Sequence, residues 1–248
     1  MATIVVQMGH VPRTRGATGT SGHRGTEQQF AIALAERIRL RVQQLGHRCI
    51  VIGADDPIPA SDAFIALHQD GSTNPAARGA SVGYPPGQDN VRWATAWKAK
   101  YAQAGWPSGF KPDNYTQALR NYYAWRRTTA RFRLLMEHGF ATNRADCDWM
   151  WDNLDRIAQV HADTIAEILG TVAPPPPPPV TAQEAHDMEL VYIQDRDHWY
   201  LAAPAGVFRI GDWSKVVFWR DVTRMRVTMM DPASFDAACG PAVKPAVL

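Results

Sequence analysis

The sequence is short of cysteine, of net charge and of long apolar runs, and each shortage excludes a class of protein. Three cysteines in 248 residues, Cys49, Cys147 and Cys239, stand far apart and form no CxxC pair. An odd, dispersed set makes neither a disulfide framework nor a cysteine-built zinc site, so free thiols are expected. Charge nearly cancels: 26 basic residues against 24 acidic ones leave a formal net charge of +2. That balance gives no electrostatic reason to expect a nucleic-acid partner. No apolar run approaches the roughly 18 residues a membrane-spanning helix needs, so membrane insertion is not expected. The opening Met1-Ala2-Thr3-Ile4-Val5-Val6-Gln7 lacks the basic start and apolar core of a secretory signal. What remains is 46% hydrophobic and 10% aromatic, a globular composition.

Proline is abundant in one place. Pro174 to Pro179 are six consecutive prolines. Such a run has fixed φ and no amide donors, and reads as a stiff polyproline II spacer. It divides the chain into a domain at 1–173, a linker at 174–180 and a small module at 181–248. The part before the run is net basic and the part after it net acidic.

Before the prolines, strands and helices alternate. Thr3–Met8 is a β-branched run predicted to be a buried strand. Glu27–Leu45 reads as a helix, with Phe30, Leu34, Ile38, Val42 and Leu45 on one face and Gly46 as its stop. Cys49–Ile52, Ala63–Leu67 and Arg131–Met136 are predicted as further strands. Leu154, Ile157, His161, Ile165 and Ile168 mark a closing helix that stops at Gly170. This alternation predicts an α/β fold, a mostly parallel twisted sheet flanked by helices. After the prolines, Leu190–Ile193, Trp199–Ala202, Val207–Ile210 and Arg224–Met230 predict a small β-rich C-terminal module.

Four polar residues are expected where ligands gather in such sheets, at the carboxyl ends of strands and at a helix start. His10 follows the first strand, His68 ends the third and Glu137 ends the fourth. Glu27 opens the first helix after a Gly-rich loop. Two histidines and a carboxylate form a common ligand set for catalytic zinc, and a further carboxylate can serve as general base. No short motif such as HExxH ties these four together, so each has an ordinary alternative. His10 could cap a loop, and His68 could be a satisfied core histidine. Glu27 could be a first-turn carboxylate favoured by the helix dipole, with His23 as a competing ligand. Glu137, at the end of an apolar strand, is costly to bury unless paired or functional.

Four segments in order resemble the zinc-dependent N-acetylmuramoyl-L-alanine amidases of type 3. Gly9-His10 matches the Gly-His pair that ends the family's first strand, and Gly25-Thr26-Glu27 matches its helix-opening Glu. Ser61 to Asp70 is similar to a strand of the form "aDlfISiHaN". Leu134-Leu135-Met136-Glu137-His138-Gly139-Phe140-Ala141-Thr142-Asn143 is similar to "vLvE-x-GFxxN". The resemblance covers residues 1 to about 170. It implies that His10, Glu27 and His68 bind Zn2+, that Glu137 is the catalytic carboxylate, and that the substrate is bacterial peptidoglycan. The chain departs from the pattern at Gln7-Met8, where the family has Asp-Pro. The stretch from Asp89 to Ala130 aligns with nothing and is expected to carry the substrate groove.

The tail resembles, on fewer residues, a module of lysins from phages that infect actinobacteria. Trp199-Tyr200-Leu201, Phe208-Arg209-Ile210 and Trp213 carry that likeness. It implies an endolysin that binds cell wall through its tail, waits in the host cytoplasm until lysis and then acts on the wall as a monomer. Two alternatives remain open: a zinc peptidase that cuts the stem peptide, and a wall-binding protein without catalysis. His138 is expected to point away from Glu137 on the opposite side of its strand. Trp93, Trp97 and Tyr101, spaced by four, read as a packed helix face.

Overall fold

The computed structural model describes residues 1–171 and, beyond them, the backbone of strands at 189–193, 198–203, 206–210, 226–230 and 243–245. The chain divides into two compact units, Met1–Pro174 and Pro175–Leu248. The predicted linker at 174–180 lies outside the described residues, as does Cys239.

The first unit runs β1 (Thr3–Met8), β2 (Ser21–Gly22), β3 (Gly25–Thr26), α1 (Glu27–Gln44), β4 (Arg48–Ile52), β5 (Ala63–Asp70), β6 (Ser81–Gly83), α2 (Gln88–Gln103), α3 (Gln117–Arg120), β7 (Phe132–Phe140), α4 (Arg144–Asp152) and α5 (Leu154–Leu169). Its main sheet has the order β4-β1-β5-β7-β6. All neighbours are parallel except the edge strand β6, which runs antiparallel to β7. This is the expected α/β fold.

The sheet sorts its residues by the two-residue period of a strand. Ile4, Val6, Ile65, Leu67, Leu134 and Met136 face one large core, with Phe30, Leu34 and Ile38 of α1, Trp93 and Trp97 of α2, and Ile157 and Ile165 of α5. Val5, Phe64, Ala66 and Leu135 face a smaller cluster closed by Leu119, Ala124 and Trp125. Both faces are covered, so apolar runs rather than alternation mark these strands. Each fully buried Ile, Leu or Phe contributes about 1.5–3 kcal/mol.

Helix α1 begins with a capping box. The Thr26 hydroxyl accepts from the Gln29 amide, and the Gln29 side chain accepts from the Thr26 amide. That reciprocal pair satisfies helix-start donors and fixes where Glu27 stands. On α2, Trp93, Trp97 and Tyr101 are fully buried, as a packed face requires. The Tyr101 hydroxyl donates to the carbonyl of His138 at 2.8 Å, tying α2 to β7.

Several elements differ from expectation. β5 and β7 run past the predicted ends, so His68 and Glu137 lie within strands rather than at their ends. The two residues are paired in register, and a shift between His68 and Asp70 follows. A polar side chain does not end a strand whose backbone ladder continues. β6 has three residues and α4 nine, too short for periodicity to reveal.

The second unit holds β8 (Glu189–Ile193), β9 (His198–Ala203), β10 (Gly206–Ile210), β11 (Arg226–Met230) and β12 (Val243–Pro245) in the sheet order β11-β8-β9-β10-β12. Four of these were expected from sequence and β12 was not. Among the described residues no helix is long and apolar enough to cross a membrane.

Candidate active site

The carboxyl ends of β1, β5 and β7 bring three of the four expected residues to one place, and the start of α1 brings the fourth. Close approach of β1 and β5 depends on Gly9. Its amide donates to the Leu67 carbonyl at 3.0 Å. A Cβ there would stand 2.5 Å from that oxygen and 2.6 Å from the His68 ring. The next residue, His10, takes φ +62, a left-handed conformation uncommon for a residue with a side chain. That conformation costs on the order of 1 kcal/mol and aims the imidazole back at α1. Gly19, at φ +87, lets the following loop close over Glu27, since a Cβ would meet Glu27 Oε2 at 2.7 Å.

Glu27 is buried and receives donors from several elements. Its Oε2 accepts from the Thr20 amide at 2.9 Å, and its Oε1 accepts from the Gln69 amide at 3.1 Å. His68 Nδ1 lies 2.8 Å and His10 Nε2 3.4 Å from that same Oε1. Burial pushes the Glu27 carboxyl up, but the hydrogen bonds from His10 and His68 outweigh it and hold the group well below the carboxylate range. The same carboxylate holds the His10 imidazole above its ordinary value, against burial. The His10 and His68 rings meet edge to face at 4.9 Å.

The ligand-type atoms of His10, Glu27 and His68 all lie within 4.8 Å of one another. Hydrogen bonding prepares them for a cation. His10 Nδ1 sits 2.6 Å from the Ala17 carbonyl, which can only accept, so Nδ1 carries a proton and Nε2, on the Glu27 side, is the nitrogen a metal would take. A histidine that donates through its outer nitrogen and offers the inner one is the arrangement of a metal ligand. Two imidazoles and a carboxylate are the donor types zinc takes, so the residues fit the metal. The competing His23 turns away and pairs with Asp148 at 2.7 Å.

A cavity of about 280 Å3 opens over this group. Its walls include His10, His68, Asp70 and Glu137, together with a second set, Tyr115, Thr116, Leu119 and Tyr122. The second set comes from the stretch that aligned with nothing and was expected to form a groove. Glu137 carries an Oε2 that is buried without a hydrogen-bond partner among the described residues. Burial first, then the charges of Asp70 and Glu27, push its carboxyl well above the usual range. The Tyr115 hydroxyl donates to Asp70 at 2.5 Å.

The neighbours of the site are structural. His138 points to the opposite face, fully buried, with Nδ1 3.1 Å from the His68 carbonyl and Nε2 2.9 Å from His161 Nε2. Asn143 caps α4 by accepting from the Asp146 amide. Cys147 is buried, and burial pushes the Cys49 thiol up to about 12, so neither is an activated nucleophile. Sequence reasoning missed Gln7, Tyr115 and Tyr122. They carry no spacing signal, because their roles arise from contacts 45 to 115 residues apart.

No curated protein matches the chain by sequence. Solved structures match it across the first unit. The catalytic domain of CwlV, an N-acetylmuramoyl-L-alanine amidase from Bacillus (Paenibacillus) polymyxa var. colistinus, is 22% identical with a TM-score of 0.54, over 69% of this chain and 100% of that one. The amidase Ami1 of Mycobacterium smegmatis is 21% identical with a TM-score of 0.54, over 68% and 96%. The catalytic domain of the CD27L endolysin targeting Clostridia difficile is 17% identical with a TM-score of 0.53, over 69% and 98%. At these identities the likeness is one of fold. The Amidase_3 family model, described as N-acetylmuramoyl-L-alanine amidase, matches residues 4–167. That span contains all four clustered polar residues, and the chain belongs to this family of peptidoglycan amidases.

Proposed function

We propose that the chain hydrolyses the amide between the lactyl group of N-acetylmuramic acid and L-alanine, with Zn2+ held by His10, Glu27 and His68 and with Glu137 as the catalytic carboxylate. The observation that carries this reading is the convergence of two imidazole nitrogens on a buried, doubly amide-bonded carboxylate. When bound, zinc would act as Lewis acid toward the scissile carbonyl and its attacking water. The hydrogen bonds from His10 and His68 favour the ionised form of Glu27. Glu137 takes the proton from water as the carbonyl is attacked and returns it to the departing alanine amine. Its unpaired Oε2 and its raised affinity for protons suit a group that must both accept and give one. Tyr115, Thr116 and Leu119 form the wall against which a stem peptide can lie.

The proposal extends to the context. The aromatic tail behind a proline run supports an endolysin of an actinobacteria-infecting phage whose second unit binds cell wall. Such a protein would stay in the host cytoplasm until lysis and act as a monomer. The amidase fold is shared with an endolysin catalytic domain.

The test is digestion of purified peptidoglycan followed by mass spectrometry, with elemental analysis of the protein. Glycan bearing free lactyl carboxylates, stems beginning at L-alanine and one zinc per chain are expected. Stems cut internally would replace the amidase by a peptidase, and intact wall would remove the enzyme reading.

A further inference from the structure

We infer that Tyr122, backed by Gln7, is a positioning residue that sets which nitrogen of His68 is offered to the metal. The inference rests on the zinc reading above and concerns residues that it does not use. Three hydrogen bonds form a directed chain. Gln7 is fully buried, and its Nε2 donates to the Ala54 carbonyl at 3.2 Å. A carbonyl only accepts, so this bond fixes the orientation of the Gln7 amide and leaves Oε1 facing the other way. The Tyr122 hydroxyl lies 2.7 Å from that Oε1 and must donate to it, since an amide oxygen has no proton to give. The single hydroxyl proton is then spent. What Tyr122 offers to His68 Nε2, 3.1 Å away, is a lone pair. His68 therefore keeps its proton on Nε2, and Nδ1 is the nitrogen left for a metal; without one, the 2.8 Å contact with Glu27 Oε1 is made through a proton on Nδ1, which the metal would displace.

Ala17 does the same for His10 with a backbone carbonyl. At His68 the acceptor is a neutral hydroxyl held by a neutral amide. This gives content to the departure at Gln7. An aspartate there could accept from Tyr122 but could not donate to Ala54. Packing also holds the acceptor, since the Tyr122 ring meets His68 edge to face at 5.6 Å and Trp125 at 5.3 Å.

The test uses the full-length chain and zinc alone. Tyr122→Phe keeps the ring and removes the acceptor, and zinc affinity is read by competition with a chromogenic chelator. Outer partners of metal-bound histidines are typically worth about 10–100-fold in affinity, and a loss of that size is expected. Gln7→Met should weaken zinc in the same direction, because it frees the Tyr122 proton to favour the wrong tautomer. The His68 Nε2–H proton resonance of the zinc-loaded protein supplies a second readout. It should move upfield and exchange faster in Tyr122→Phe, which a space-filling role would not cause. A dissociation constant within about twofold of the parent, or an unmoved resonance, overturns the relay alone. A parent chain that takes up no zinc overturns the metal reading and the relay with it.

Discussion

Glu137 and His138 are consecutive on β7, yet the strand sends them into different environments. His138 enters the large core, where both ring nitrogens find partners and Tyr101 bonds its carbonyl. Glu137 enters the thinly covered face, where its Oε2 finds none among the described residues. His138 is fully buried, whereas Glu137 is half-buried at the wall of the cavity. The difference between these two is satisfaction: both ring nitrogens of His138 are matched internally, whereas Glu137 is left with an unmet demand that a substrate or water can answer.

The largest expected effect breaks this contrast on the pocket side. Glu137→Gln should lower hydrolysis of purified peptidoglycan by about 10^2 to 10^4, the usual worth of a general base, with zinc content and melting unchanged. Turnover equal to the parent would reduce Glu137 to another structural polar residue. On the core side, His138→Ala leaves a cavity and an unpaired His161, so urea unfolding should show a loss of about 3 kcal/mol. Normal stability with hydrolysis abolished would move His138 into the catalytic machinery.

Acid should act on the same pair. Burial holds His138 down to about 4 and His161 well below 6.5. The unfolded chain takes up protons near 6.5 that the folded pair refuses. Stability from this source is complete above 6.5 and is lost as pH falls toward 4. His161→Leu should flatten the decline in melting temperature between those values, and an unchanged slope would refute the assignment. The smallest effect belongs to the helix that delivers Glu27. Thr26→Ala removes the cap of α1 and should cost about 1 kcal/mol, read as a lower melting temperature.

Legibility from sequence followed the same division. The runs at Thr3–Met8 and Ala63–Leu67 announced strands because both sheet faces are covered. Phe30, Leu34, Ile38 and Val42 announced α1 because one face of a helix must be apolar to pack. His10, Glu27, His68 and Glu137 stood out as polar residues placed where apolar segments end, and the family pattern assigned them roles. His68 and Glu137 nevertheless sit inside longer strands, since backbone pairing carried β5 and β7 onward.

The sequence by itself determined the α/β alternation, the apolar faces and the identity of four chemically apt side chains, because periodicity and residue type are local properties. Only the tertiary structure decided that Gly9 allows two strand ends to touch, that His23 is diverted to Asp148, and that Tyr122 and Gln7 stand behind His68. Those outcomes depend on distances between segments remote in the chain. Such distances are set by how layers pack and which donors remain unspent, and no local pattern of residues encodes them.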